Sequence, residues 1–210
     1  MKKNVFCLII SLFLFLFQAN CYSLASDTNL EADSKIKNYI DLDKAKISES
    51  MTLEQLVHQY ASDSGITYEK AKRIFNYYPE SNISLYSDTN TYNTVYTTLN
   101  VSNDYKPTLR YYCMTSEYKG GWHGIIKILA VNINRGYKGK SYAFGGSVYS
   151  HLVNGNKIFY IVNGDFYNNS TSTFTSSINI GVGQKGSVSF GVSSTSNHYK
   201  YYYVEDYLIW

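Results

Sequence analysis

The sequence predicts a mainly β protein, an antiparallel β-sandwich or barrel of about eight strands that follows a small N-terminal helical hairpin. Two observations predict this class. After Ser81 the composition shifts to Tyr, Thr, Ser, Gly, Asn and β-branched residues, which favour a pleated, half-buried surface. In the same region apolar and polar residues alternate in short runs separated by turn residues. Short connections of this kind make neighbouring strands antiparallel.

The first residues predict export. Two lysines precede an apolar run over residues 5–17, which is shorter than the roughly 20 residues that a membrane-spanning helix needs. Ser23 and Ala25 supply the small residues that a signal peptidase requires, so we place cleavage after Ala25. An acylated Cys21 would instead anchor a lipoprotein, but the residues before it fit that motif poorly. We therefore expect a secreted protein, extracellular or associated with the cell envelope, that begins at Ser26.

The chain divides by composition and periodicity into four parts. The parts are a signal peptide (1–25), a polar tether or propeptide (26–50), a helical hairpin (51–80) and an antiparallel β domain (81–210).

Composition excludes several classes of protein. Of the three cysteines, only Cys113 remains after the leader is removed, so we expect neither an internal disulfide nor a cysteine metal site. The formal net charge of +3 at pH 7 includes two leader lysines, and it gives no indication of a nucleic-acid partner. The histidines show no metal-ligand spacing, and no cofactor motif is present. We expect no metal and no cofactor.

The helical hairpin has recognisable ends. Thr52 and Gln55 form a capping box, and apolar residues then recur at helical spacing until Gly65. A second helix is predicted over Tyr68–Tyr77, with Pro79 stopping it.

This helical pair is similar to the helix-turn-helix of DNA-binding proteins. Ala61, Gly65, Ile66 and Ile74 carry the resemblance, because a glycine at the turn and a small residue before it let two helices cross closely. The resemblance implies DNA binding, which export contradicts. We therefore expect a packing hairpin.

Eight or nine strands are predicted in the β domain. The runs are 94–102, 108–116, 125–134, 141–144, 148–153, 157–163, 173–182, 187–194 and 198–209. Residues 154–155, Asn-Gly, are predicted to form a type I′ turn, which pairs Val153 with Asn156 and Tyr149 with Tyr160. The run 158–162 is apolar on both faces, as in a central strand.

The sequence does not indicate an enzyme. Cys113 and His123 could in principle form a nucleophile and base, but Cys113 lies within a predicted strand and is expected to be a small buried hydrophobe. No nucleophile-elbow or phosphate-binding motif occurs, and no pair of carboxylates is placed for glycoside hydrolysis.

A tyrosine stripe near the C-terminus is the first candidate site. If Val204, Leu208 and Trp210 point inward, one face of the last strand presents tyrosines that suit stacking on sugar rings or docking of a protein. A strand with both faces covered would present none. The proposed ligand-binding residues are Tyr199, Tyr201, Tyr203 and Tyr207.

The segment 171–195 is the second candidate. Apolar residues alternate with Ser, Thr, Asn and Gly on both sides of a turn at 183–186, as in a hairpin that inserts into a bilayer and also as in a half-buried hairpin of a soluble sandwich. The residues that would face lipid are Phe174, Ile178, Ile180, Val182, Val188, Phe190 and Val192.

Three functional hypotheses follow from these features. The first is a secreted, non-catalytic binding protein that acts at the cell envelope on a polymer, a glycan or a protein partner. The second is a membrane-inserting β-hairpin protein of the pore-forming type, the only one of the three that involves a membrane. The third is a structural or accessory secreted protein without independent activity.

Overall fold

A computed structural model describes residues 45–76, 90–116, 124–174 and 178–210. The predictions for the leader, the polar segment before Ala45, Pro79 and His123 lie outside these residues.

The first helix, α1, spans Leu53–Ser64 and has the predicted capping box. The Gln55 amide donates to Thr52 Oγ1 at 3.2 Å, and the Thr52 amide donates to Gln55 Oε1 at 2.8 Å. Gly65 ends the helix in a left-handed conformation with φ 64°, which glycine adopts without steric cost.

The second helix, α2, spans Tyr68–Phe75 and is shorter than predicted. Asn76 takes the left-handed conformation, with φ 51°, and its amide donates to the carbonyl oxygens at the end of the helix. Asparagine tolerates this conformation, so it ends the helix at Phe75.

The strands form two five-stranded antiparallel sheets and one small hairpin. The first sheet has the order β1 (Lys46–Ile47), β2 (Asn90–Thr98), β3 (Thr108–Ser116), β4 (Gly124–Asn134), β10 (Ile180–Gly181). The second sheet has the order β12 (His198–Ile209), β8 (Lys157–Tyr167), β7 (Ala143–Asn154), β11 (Lys185–Val192), β9 (Ser172–Phe174). The small hairpin pairs β5 (Gly136–Tyr137) with β6 (Lys140–Ser141).

The two large sheets pack face to face, as predicted for a sandwich. Their shared core includes Tyr111 and Ile128 from the first sheet and Val148, Val162 and Phe166 from the second, all fully buried. The predicted alternation of apolar and polar residues therefore marks the inward face of each sheet.

The helical hairpin covers the other face of the first sheet. Leu56, Tyr60 and Ala71 from the helices pack on Tyr112 and Ala130 from β3 and β4, forming a second core. The described part of the chain thus has three layers, namely helices, first sheet and second sheet. None of its helices is long and apolar enough to cross a membrane.

The predicted type I′ turn at residues 154–155 is wrong. Neither Asn154 nor Gly155 has a positive φ, and Asn154 pairs with Lys157. The Asn154 side chain instead accepts a hydrogen bond from the Asn156 amide at 3.1 Å, an Asx turn that needs no positive φ. Residues with the positive φ of a type I′ turn occur at 138–139, between β5 and β6.

The turn lies one residue later than predicted, at residues 155–156, and this changes the register of the β7–β8 pair. A register shift between Leu152 and Asn154 takes up one residue. Tyr149 consequently lies opposite Ile161, where the sequence predicted Tyr160. The run 158–162 lies in β8, which has a neighbouring strand on each side, as expected.

The predicted hairpin of 173–182 with 187–194 is also wrong. β9 pairs with β11 in the second sheet, whereas β10 pairs with β4 in the first sheet. The chain therefore crosses from one sheet to the other. The physical reason is burial: Ile178, Ile180, Val188 and Phe190 all enter the core between the sheets.

Candidate functional site

The two outer faces of the sandwich differ. The helical hairpin covers the first sheet, whereas no described residue covers the outer side of the second sheet. On β12, Val204, Leu208 and Trp210 pack toward the core, so the alternate residues point outward. We call the outward residues of the second sheet the open face. They are Tyr201, Tyr203, Glu205 and Tyr207 of β12; Phe159, Ile161, Asn163 and Asp165 of β8; Ser147, Tyr149 and His151 of β7; and Lys185, Ser187 and Ser189 of β11.

Strand register aligns these side chains in rows across four strands. Directly opposite residues on one face of a sheet lie within side-chain contact of each other. Three rows run in order through β12, β8, β7 and β11: Tyr207, Phe159, His151, Lys185; Glu205, Ile161, Tyr149, Ser187; and Tyr203, Asn163, Ser147, Ser189.

One end of the open face is aromatic. The rings of Phe159 and Tyr207 have centroids 5.1 Å apart, and the Tyr149 ring lies 6.1 Å from that of Phe159. Lys157 Nζ lies 4.0 Å from the centroid of the Tyr207 ring, within cation–π range. These contacts hold the three rings in place on the sheet.

The other end presents tyrosines whose hydroxyls are fixed. Tyr201 OH donates to Asn163 Oδ1 at 2.9 Å, and Tyr203 OH donates to Glu205 Oε2 at 3.0 Å. The hydrogen bond to Glu205 raises the pKa of Tyr203, which keeps the hydroxyl protonated. Tyr201 and Tyr203 are nevertheless 53% and 51% exposed. The rings are therefore oriented, and much of their surface is free for a ligand.

Tyr199 does not belong to this stripe. The β12–β8 register shifts between His198 and Lys200, and this irregularity turns Tyr199 away from the open face. The centroid of its ring lies 4.1 Å from that of the Tyr142 ring, and its hydroxyl lies 3.0 Å from Ser102 Oγ. The sequence-based assignment of Tyr199 to the outward face is thus wrong, because strict alternation does not survive a bulge.

The seven residues of the second candidate site do not form one surface. Four of them are buried in the core, while Val182 is 53% exposed in the turn before β11. Val192 is partly buried at the end of β11, and Phe174 lies in β9. In this fold, apolar contacts within the sandwich occupy four of the seven side chains that would have faced lipid.

A cleft of about 400 Å³ lies beside Trp210 and is lined by the chain at and after β1 and by residues of β2, β3 and β4. Its buried polar side chains bond to one another: Thr115 Oγ1 donates to Asn93 Oδ1 at 2.6 Å, and Asn93 Nδ2 donates to the Ser48 carbonyl at 3.0 Å. The cleft therefore offers a ligand mainly apolar contact, and the open face is the stronger candidate.

Cys113 lies in the core between the sheets, as the sequence predicted. Burial raises the pKa of its thiol, which disfavours the reactive thiolate.

Comparisons with known proteins give no information about this site. No family model matches the chain, and neither curated proteins nor solved structures give a match.

Proposed function

We propose that this chain is a secreted, non-catalytic glycan-binding protein whose open face lies against sugar chains of a cell envelope. The observation that carries the proposal is the contrast between the outer faces. One face is buried beneath two helices, while the other displays oriented, half-exposed tyrosines of β12 beside aromatic residues of β8 and β7. A monomeric soluble protein rarely exposes such a surface unless the surface binds something.

The mixture of groups on the open face favours a glycan over a protein. A sugar ring has an apolar C–H face and a rim of hydroxyls, so it needs flat rings and hydrogen-bonding groups side by side. Asn163, Glu205 and Asp165 lie among the aromatic residues and supply acceptors and donors. The centre of a protein–protein interface is usually depleted of charged residues, which this face is not.

Export gives the proposed site access to an envelope. The leader predicted over 1–25 would deliver the chain across the membrane, and cleavage would release it. Secretion is thus part of the same proposal as glycan binding.

The proposal is tested with the double variant Tyr201→Ala/Tyr203→Ala. We expect binding to a glycan array and to isolated envelope to fall at least tenfold, while the unfolding midpoint changes little because both rings are half exposed. The matched control is Val182→Ala, because Val182 has the same 53% exposure as Tyr201 but lies outside the open face. The control should bind like wild type.

Three outcomes would contradict the proposal. The first is wild-type binding by the double variant. The second is envelope binding that survives removal of glycans and is lost after protease treatment, which identifies a protein partner. The third is binding abolished by salt alone, because stacking survives raised ionic strength. That result would indicate that basic residues such as Lys127, Lys138 and Lys140 make the contact with the envelope.

A further inference from the structure

The outer edge of the second sheet is formed by a long strand. β12 has 12 residues and pairs only with β8 among the described strands. An edge strand presents a row of backbone N–H and C=O groups that can pair with another strand. The residues of β12 that present these backbone groups determine which strand can pair with this edge.

Hydrogen bonds at the end of β12 identify the residues that face the edge. The Ile209 carbonyl accepts from the Ala45 amide at 3.3 Å, and the Tyr207 amide donates to Asp206 Oδ1 at 2.7 Å, both away from β8. The amide of Trp210, the next residue, donates to the carbonyl oxygen of Asn156, which lies beside β8. Backbone groups of successive residues in an antiparallel strand point to opposite sides. From Tyr201 onward, the odd-numbered residues of β12 therefore direct their backbone groups toward the edge.

By this alternation Tyr201, Tyr203 and Glu205 present their backbone groups to the edge. Within the described part of the chain, no backbone hydrogen bond from outside the second sheet reaches these three residues. The register shift at His198–Lys200 bounds the window on one side, and the contacts of Tyr207–Ile209 bound it on the other. Tyr203 lies at its centre.

We propose that a second copy of this chain pairs with the window in antiparallel orientation, about a two-fold axis at Tyr203. Tyr203 then lies opposite its own counterpart, and Tyr201 lies opposite Glu205 of the second copy. Lys200 lies opposite Asp206 of the second copy, so the dimer contains two such oppositely charged pairs. The two second sheets join into one sheet of ten strands.

Charge complementarity favours this register over registers with the axis at Glu205 or at Tyr201. Moving the axis to Glu205 sets two carboxylates directly opposite each other, which is unfavourable. Moving it to Tyr201 leaves Lys200 opposite Tyr202 and brings the bulge into the pairing. A lysine on an edge strand ordinarily discourages pairing. Here Asp206 of the second copy neutralises it.

Pairing at β12 would place the two open faces side by side on one continuous sheet. The dimer would thus present twice the tyrosine surface on the same side of the molecule. The dimer does not depend on glycan binding, and none of the following measurements uses a glycan. Failure of either proposal is therefore visible without the other.

Charge exchange tests the pairing. We expect the purified secreted protein to sediment as a concentration-dependent dimer. Lys200→Glu alone and Asp206→Lys alone should each weaken self-association by about tenfold or more, because each sets like charges opposite each other. Mixing the two variants should restore a dimer, because residues 200 and 206 then carry opposite charges in both of their facing pairs. Failure of the mixture to associate would contradict the register.

Cysteine pairing tests the axis without altering charge. Residue 203 lies opposite its counterpart at a Cα separation of about 5.5 Å, so Tyr203→Cys should form a disulfide-linked dimer on mild oxidation. The matched control is Tyr201→Cys, which should not, because its counterpart is displaced by about 13 Å along the strands. Equal cross-linking of both variants, or a wild-type protein that stays monomeric at every concentration, overturns the proposal.

Discussion

Asp63 joins the helical hairpin to the first sheet, and its removal should destabilise the protein strongly. Near the end of α1 its carboxylate accepts from Arg110 Nη1 at 2.7 Å, from Tyr112 OH at 2.7 Å and from Asn134 Nδ2 at 3.1 Å. All three donors come from the first sheet. One side chain therefore connects a helix to two adjacent strands.

The magnitude follows from what Asp63→Ala would leave unpaired. The Tyr112 side chain is fully buried, and a buried donor without a partner costs about 1–3 kcal/mol. The Arg110 side chain is 22% exposed, so water compensates part of the loss of its ion pair. A buried ion pair that loses one member costs about 3–5 kcal/mol, and this partial exposure reduces the figure. We expect the free energy of unfolding to fall by about 3 kcal/mol.

The assay is urea unfolding followed by intrinsic fluorescence, with the variant compared at an unchanged m-value. Tyr112→Phe should lower the free energy of unfolding by about 1 kcal/mol. Asp63→Ala should cost less in that background, because the buried hydroxyl that would lose its acceptor has already been removed. The control is Glu69→Ala, which removes an exposed ion pair with Lys72 and should cost less than about 1 kcal/mol. A loss below about 1 kcal/mol for Asp63→Ala, or equal losses in both backgrounds, would refute the reasoning.

Three further predictions concern packing, processing and pH. Gly164→Ala should lower the free energy of unfolding by about 1–3 kcal/mol in the same assay, because an added Cβ would collide with the backbone of the neighbouring strand β7. The secreted protein should begin at Ser26 by intact mass, and a diacylglyceryl group on Cys21 would contradict this. Burial raises the pKa of Tyr105 and Tyr202 to about 12, so the folded state holds these protons more tightly than the unfolded chain does. The contribution of these two tyrosines to the free energy of unfolding should be fully present below about pH 10, the ordinary tyrosine pKa, and should fall toward pH 12. The measurement is the urea midpoint, recorded alongside tyrosinate absorbance.

Features with a local cause were predictable. The capping box of Thr52 and Gln55 depends on residues three apart, and the end of α1 at Gly65 depends on one backbone conformation. The strands 108–116 and 198–209 were located by alternation between turn residues, and both have the predicted bounds. The tyrosine stripe was likewise visible in the sequence, since outward and inward residues of a strand differ in type.

The candidate site was only partly predictable. Tyr201, Tyr203 and Tyr207 lie on the open face as expected, whereas the bulge at His198–Lys200 removed Tyr199. Phe159 and the other residues of β8 and β7 were missed, because the sequence does not reveal which strands lie beside β12. The apolar character of both faces in the run 158–162 was the one signal that could have pointed to them.

By itself the sequence determined the class of fold, the boundaries of α1 set by its caps and the inward or outward direction of most strand residues. These depend on hydrogen bonds and periodicities within a few residues. The tertiary structure alone decided that β9 and β10 belong to different sheets, that the helices cover the first sheet and that the second sheet keeps an open face. Those outcomes depend on which apolar surfaces bury each other across distant parts of the chain, and such contacts leave no local pattern.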